Sequence, residues 1–117
     1  MASVTLDKIL KAVVGHGASD LHLIANTEPQ IRISGKLAPL DIEKLDTQTV
    51  KSLCYSVITD NQKQKFEEYK ELDFTFTMSG IGRFRANYYL QKGSVAGAFR
   101  IIPEKSTNTT SFKKYKY

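Results

Sequence analysis

The sequence predicts an α+β domain, an antiparallel sheet of about six strands with two or three helices packed on one side. Three observations support this. Residues 72–78, 83–91 and 95–101 alternate apolar with polar side chains, and glycines lie between these runs. Such alternation is typical of an antiparallel meander with one buried face. A shorter alternating hairpin and several amphipathic helical patterns precede the meander.

A two-residue turn at residues 92–93 sets the register of the last two strands. Counting back from this turn pairs Leu90 with Val95, so that the apolar residues share one face. The same count places Arg85 directly opposite Arg100 on the polar face. Like charges directly opposite each other destabilise a sheet, and an anion shared between them would offset the repulsion. Arginine suits phosphate because its planar fork donates bidentate hydrogen bonds and stays charged.

Arg83 lies two residues before Arg85 and therefore shares its face of the predicted strand. The register alone leaves two interpretations of this face open. In the first, the arginines bind an anion. In the second, they lie on a solvated outer face and repel each other weakly through water, as charged residues on half-exposed sheets often do.

The first part of the chain predicts a helix over 4–14, capped by Ser3 or Thr5, and a short strand within 18–25. Ser19 and Asp20 are expected to fix the turn into this strand through side-chain bonds to the backbone. A hairpin follows over residues 30–40. Its Arg32 is expected on the surface or in an ion pair with Asp20 or Glu28.

Two further helices are predicted before the meander. Asp46 caps the first, over 47–58, whose buried stripe includes Cys54. A capping box from Thr59 to Gln62 opens the second, which runs to about Lys70 with Phe66 and Tyr69 facing inward.

Composition and charge narrow the class of protein. The 117 residues fit one domain, and the formal net charge is +5. Residues 104–117 carry +3 of this charge, so the remaining +2 does not suggest nucleic-acid binding. A single cysteine and the absence of a signal peptide or long apolar run favour a cytoplasmic location. Residues 1–103 are expected to form the domain and 104–117 a polar, flexible tail.

The sequence contains no complete catalytic motif. The nearest approach to a phosphate-binding loop is Gly35-Lys36, which is followed by Leu37 and lacks the earlier glycine. His22 and Cys54 have no partners at metal-ligand spacing, so no metal site is predicted. The chain as given is not expected to be an enzyme.

Five segments together show a family resemblance: ASDLHL (18–23), IRISG (31–35), FEEYKELDFTF (66–76), GRFRANYY (82–89) and AGAFRIIP (96–103). Their order and spacing resemble the N-terminal, PAS-like domain of the type IV pilus retraction ATPases. These motors of twitching motility belong to the secretion-ATPase superfamily, with the pilus extension and type II secretion ATPases.

The resemblance implies a homo-hexameric motor that is peripheral to the inner membrane and acts indirectly on the pilus platform there. In this family ATP and Mg²⁺ bind between the N-terminal domain and a RecA-like domain. Arginines of the N-terminal domain reach the phosphates and act as arginine fingers. The motif match assigns this role to Arg85 and Arg100, with Arg83 as a weaker third candidate.

The sequence also departs from the family. Where the family continues with an apolar linker helix and the ATP-binding domain, the residues from Ser106 onward are polar. We therefore expect an excised or truncated domain that neither hydrolyses ATP nor binds it tightly. The alternative is a freestanding PAS-like ligand-binding or interaction module. The aromatic residues expected in the core leave little room for its ligand: Phe74, Phe76, Phe84, Tyr88 and Phe99.

Overall fold

The computed structural model describes residues 4–103, which contain three helices and six strands. The predicted flexible tail at 104–117 lies outside these residues. The helices are α1 (Leu6–Gly15), α2 (Thr47–Tyr55) and α3 (Asp60–Tyr69). The strands are β1 (Asp20–Leu23), β2 (Gln30–Ile33), β3 (Lys36–Pro39), β4 (Glu71–Met78), β5 (Gly82–Gln91) and β6 (Ser94–Ile102).

All six strands form one antiparallel sheet in the order β3-β2-β1-β6-β5-β4. This confirms the predicted α+β class. The first strand, β1, lies between β2 and the last strand, β6, so the first and last strands are neighbours in the middle of the sheet. One hydrophobic cluster joins one face of the sheet to the apolar stripes of the three helices.

The stripe of α1 consists of four buried residues, Leu6, Ile9, Leu10 and Val13. Their spacing places them on one side of a 3.6-residue helix. Thr5 is the N-cap by backbone geometry, although its side chain makes no capping hydrogen bond. Ser3, the other predicted cap, lies outside the described residues.

The predicted cap of α2 is confirmed, because an Asp46 carboxylate oxygen accepts a hydrogen bond of 2.8 Å from the Thr49 backbone N–H. The helix ends at Tyr55, three residues before its predicted end. The Ser56 hydroxyl donates to the Leu53 carbonyl at 2.7 Å and closes the last turn. The chain must then become extended at the cap of α3.

The capping box of α3 is present as predicted. The Thr59 hydroxyl accepts from the Gln62 N–H at 3.2 Å, and the Gln62 side chain accepts from the Thr59 N–H at 2.9 Å. Phe66 is buried, but the prediction that Tyr69 faces inward is wrong, because Tyr69 is 66% exposed. Tyr69 ends the helix, and the left-handed backbone of Lys70, with φ of 65°, turns the chain into β4 and leaves the ring in solvent.

The meander has the predicted register. Lys92 and Gly93 both adopt positive φ angles, as a two-residue hairpin turn of the primed type requires. Leu90 consequently pairs with Val95, and Arg85 with Arg100. The inner face is apolar along its length, so a shift of one residue would expose the core.

Tyr88 lies at the centre of the aromatic core. Its ring centroid is 5.1 Å from that of Phe74, 5.9 Å from Phe99 and 6.2 Å from Phe66. All three contacts are edge-to-face, an arrangement that aromatic rings favour. Among residues 4–103 its buried hydroxyl has no hydrogen-bond partner. These rings fill the space between the sheet and α3.

Gly97 allows α2 to approach β6 closely. A Cβ atom at this position would lie 3.1 Å from Cys54 Sγ and 3.2 Å from ring carbons of both Tyr88 and Phe99. The neighbours come from a helix and two strands, so no single movement relieves all three contacts. The absence of a side chain at Gly97 therefore sets how closely α2 packs on the sheet.

We predict that Gly97→Ala lowers the free energy of unfolding by about 1–3 kcal/mol, the usual cost of overpacking a core. Gly15→Ala is the matched control. A Cβ there meets nothing within 4 Å, and alanine favours a helix. Urea denaturation of the two variants measures the difference. Equal stability of Gly97→Ala and the parent protein would contradict this account of the packing.

Candidate functional site

Four charged side chains form a row across neighbouring strands on the outer face of the sheet, opposite the hydrophobic core. In the register of the strands, Arg32 of β2 pairs with Asp20 of β1, and Asp20 pairs with Arg100 of β6. Arg100 pairs in turn with Arg85 of β5. The row therefore brings the two predicted site residues together on one face, as the hairpin register required.

Arg85 is paired with Asp73, which lies on the edge strand β4. Arg85 Nη2 donates to one Asp73 carboxylate oxygen at 2.8 Å, and Nε donates to the other at 3.2 Å. The side chains are 64% and 50% exposed. The hydrogen bonds and charge of Arg85 lower the pKa of Asp73 from its usual value. The guanidinium is thus held by an ion pair that is open to water.

Arg100 has a different carboxylate partner, Asp20. Its Nε and Nη2 donate to the two Asp20 oxygens at 3.2 and 3.3 Å, and Arg32 Nε lies 3.5 Å from the same carboxylate. The Asp20 side chain is only 9% exposed, whereas that of Arg100 is 72% exposed. Burial acts to raise the pKa of Asp20, but the hydrogen bonds and charge of Arg100, with smaller contributions from Ser19 and His22, outweigh it, and the pKa is lowered.

These pairs bear on two expectations about residues near β1, of which one is confirmed and the other is wrong. The predicted ion pair of Arg32 with Asp20 is confirmed. The Asp20 carboxylate, expected to bond the backbone of the turn, binds the two arginines instead. Nearby, Nε2 of His22 is buried and has no hydrogen-bond partner among residues 4–103.

An open groove of about 310 Å³ lies over this row. The two ion pairs Arg85–Asp73 and Arg100–Asp20 line it, together with His22, Asn87 and Ala98. A shallower depression of about 650 Å³ adjoins it, between Arg85, Arg100 and Pro103. Arg83 is exposed on the same face of β5, opposite Thr77 and Ile102. Arg85 and Arg100 thus line both hollows, whereas Arg83 shares their face of the sheet but lines neither.

Metal binding and catalysis by a cysteine nucleophile find little support in the described residues. Within the described ranges no three His, Cys, Asp or Glu residues are grouped to hold a metal ion. Cys54 is fully buried, and burial raises the pKa of its thiol to about 12. The thiol is therefore protonated at neutral pH, and its burial agrees with the predicted place of Cys54 on the buried stripe of α2.

Between residues 4 and 103 no helix is both long enough and apolar enough to cross a membrane.

Comparison with known proteins identifies relatives of this domain. No protein-family model matches the chain. The type IV pilus retractation ATPase PilT of Pseudomonas aeruginosa is 37% identical over 100 residues, which cover 86% of this chain and 29% of PilT. A crystal structure of the pilus retraction motor PilT with bound ADP matches 96% of this chain and 32% of that chain, with a TM-score of 0.84 and 39% identity. This chain is a homologue of the N-terminal domain of PilT-like secretion ATPases.

The type IV pilus ATPase PilU of the same organism is 28% identical over 110 residues, or 94% of this chain and 28% of PilU. The chain thus spans less than a third of the length of these relatives. The resemblance found in the five sequence segments is confirmed, and so is the PilT-like fold.

The two aspartates are the site residues that sequence reasoning missed. Asp73 belongs to the polar set of β4, and the β4–β5 register would have placed it diagonally from Arg85. Asp20 and Arg100 are 80 residues apart in the chain. No local pattern announces their contact, since it depends on β1 pairing with β6.

The buried carboxylate predicts a specific pH dependence of stability. The pKa of Asp20 is lower in the folded protein than in the unfolded chain, so its stabilising contribution is present above the unfolded value of about 4 and is lost as the pH falls through the folded value. Asp20→Asn should be less stable than the parent at pH 7, with a gap that narrows below about pH 4. Thermal unfolding from pH 7 to pH 2 measures this gap.

Asp73→Asn is the control for this pH series. Its ion pair is exposed, and exposed pairs contribute little to stability. A stability gap for Asp20→Asn that stays constant from pH 7 to pH 2 would show that its carboxylate does not stabilise the fold through its charge.

Proposed function

We propose that this chain is the N-terminal domain of a hexameric type IV pilus retraction motor and supplies arginine fingers to its ATP. Arg85 and Arg100 are the fingers, and Arg83 is a third phosphate contact. The observation that carries the proposal is the pairing of Arg85 with Arg100 on adjacent strands, both guanidinium groups being largely exposed in one groove. The nucleotide itself is held by a RecA-like domain.

The geometry suits a phosphoryl group in the transition state. Each guanidinium has five N–H donors, and its aspartate occupies the Nε and Nη2 edge. The remaining donors of both arginines are available to phosphate oxygens. Two cations that project from paired positions on neighbouring strands can together stabilise the charge that develops during phosphoryl transfer.

The relatives support this assignment at the level of the whole motor. The P. aeruginosa relative carries the name of an ATPase, and the PilT crystal structure contains bound ADP. The present sequence has no phosphate-binding loop, so we propose that the RecA-like domain of its own or a neighbouring subunit supplies this loop and binds Mg²⁺ with the phosphates. By itself the chain would neither hydrolyse ATP nor bind it tightly. Its place in the cell would be the cytoplasmic side of the inner membrane, beneath the pilus platform.

The packing of the core disfavours the alternative of a freestanding PAS-like sensor. Such a module would hold its ligand in an apolar cavity between the sheet and the helices. Here Tyr88 occupies that position in edge-to-face contact with Phe66, Phe74 and Phe99. The exposed, charged groove lies on the opposite face of the sheet.

A chimeric motor tests the proposed function. Residues 1–103 replace the matching segment of P. aeruginosa PilT, and steady-state ATP hydrolysis is measured. Arginine fingers are worth roughly 10³–10⁵ in kcat, so Arg85→Ala and Arg100→Ala should each reduce kcat by at least about 100-fold. Lys65→Ala, which removes an exposed charge from α3, should leave kcat unchanged.

Hexamer formation, measured by light scattering, separates lost catalysis from lost assembly. Hydrolysis at the parental rate in both arginine variants would contradict the finger assignment.

A further inference from the structure

We propose that the two arginines have unequal roles, fixed by their carboxylate partners. Asp20 is a positioning residue that holds Arg100 in place before and after an anion binds. Asp73 is an exchangeable partner, which an incoming polyphosphate displaces from Arg85. The inference rests on the proposed phosphate site and assigns a function to two acidic residues in it.

The fixed position of Arg100 follows from the surroundings of Asp20. The Asp20 carboxylate is 9% exposed and contacts both Arg100 and Arg32. Arg32 is itself anchored, since its Nη1 donates to the Gly35 carbonyl at 3.1 Å. Separating Arg100 from Asp20 would leave a largely buried carboxylate with half of its charge compensation removed, which is costly. An anion therefore binds to Arg100 at its exposed donors while the Asp20 pair stays intact.

The exchange at Arg85 follows from the exposure of Asp73. Its carboxylate is 50% exposed, and its hydrogen bonds within residues 4–103 come from Arg85. Asp73 lies on an edge strand, where its side chain can turn towards water. Exposed pairs of this kind have little net free energy, so a multivalent phosphate that contacts both arginines can replace the carboxylate.

The exchange of Asp73 for phosphate changes the net charge around Arg85 and Arg100. The row and its partners contain Arg32, Arg85 and Arg100 against Asp20 and Asp73, a net charge of +1. The hydrogen bonds and charge of Asp20 raise the pKa of Arg100, while the like charge of Arg85 acts in the opposite direction, as expected for two guanidinium groups paired across neighbouring strands. Movement of Asp73 away from Arg85 raises the local charge to +2 when the phosphate arrives. Asp73 thus shields the site in its empty state.

Two charge-matched variants test the inference in the full 117-residue chain. Tripolyphosphate is titrated into each protein, and the arginine Nε–Hε resonances are followed by NMR. Asp73→Asn should bind the probe at least about threefold more tightly than the parent, because a competitor is lost. Asp20→Asn should bind it at least about threefold more weakly, because Arg100 is no longer held in place.

Each substitution removes one negative charge near the arginines, so an effect of charge alone would tighten binding in both. Tighter binding of the probe by Asp20→Asn would therefore overturn the positioning role. Unchanged or weaker binding by Asp73→Asn would overturn the exchange. Amide spectra establish that each variant is folded.

A measurement on the unsubstituted chain needs no variant. The Arg100 Nε–Hε group should be rigid on the picosecond-to-nanosecond timescale both without and with tripolyphosphate, whereas that of Arg85 should be mobile until the probe is added. Equal rigidity of the two groups in the free protein would contradict the inference. The absence of detectable tripolyphosphate binding at millimolar concentration would also contradict it. ATP hydrolysis by the chimeric motor would then decide separately whether the arginines act on ATP.

Discussion

The site depends on the cross-strand pairing of Arg85 with Arg100. Two like charges face each other because the turn at 92–93 and the apolar inner face permit only one register of β5 on β6. A one-residue slip would bury the arginines and expose the core, so the pair cannot relax by sliding. The repulsion is instead offset from both sides, by Asp20 on β1 and by Asp73 on β4.

These two carboxylates differ in burial because their strands lie at different positions in the sheet. The central strand β1 supplies a buried aspartate that two arginines share, and the edge strand β4 supplies an exposed one. The position of each strand in the sheet thus decides how firmly its neighbour's guanidinium is held. If the proposed phosphate site exists, this arrangement would hold Arg100 in place without an anion and leave Arg85 accessible to one.

The features that could be predicted from the sequence are those that depend on the spacing of residues close together in the chain. The hairpin register of Arg85 and Arg100 and the caps at Asp46 and Thr59 follow from residues close together in the chain. The contact of Asp20 with Arg100 could not be predicted this way, because it requires strands 80 residues apart to pair. Tyr69 was misplaced since periodicity does not say where a helix stops. The register raised anion binding by Arg85 and Arg100 and left it open beside a solvated surface, and the family resemblance added the more specific expectation of arginine fingers.

The most direct measurement of the central claim is a structure of the chimeric PilT motor with bound ADP and a planar phosphoryl mimic. The account predicts that N–H groups of Arg85 and Arg100 lie about 2.7–2.9 Å from oxygens of the mimic, with Arg100 still on Asp20 and Arg85 released from Asp73. A structure in which both guanidinium groups remain on their aspartates and no donor of either reaches the nucleotide would contradict it.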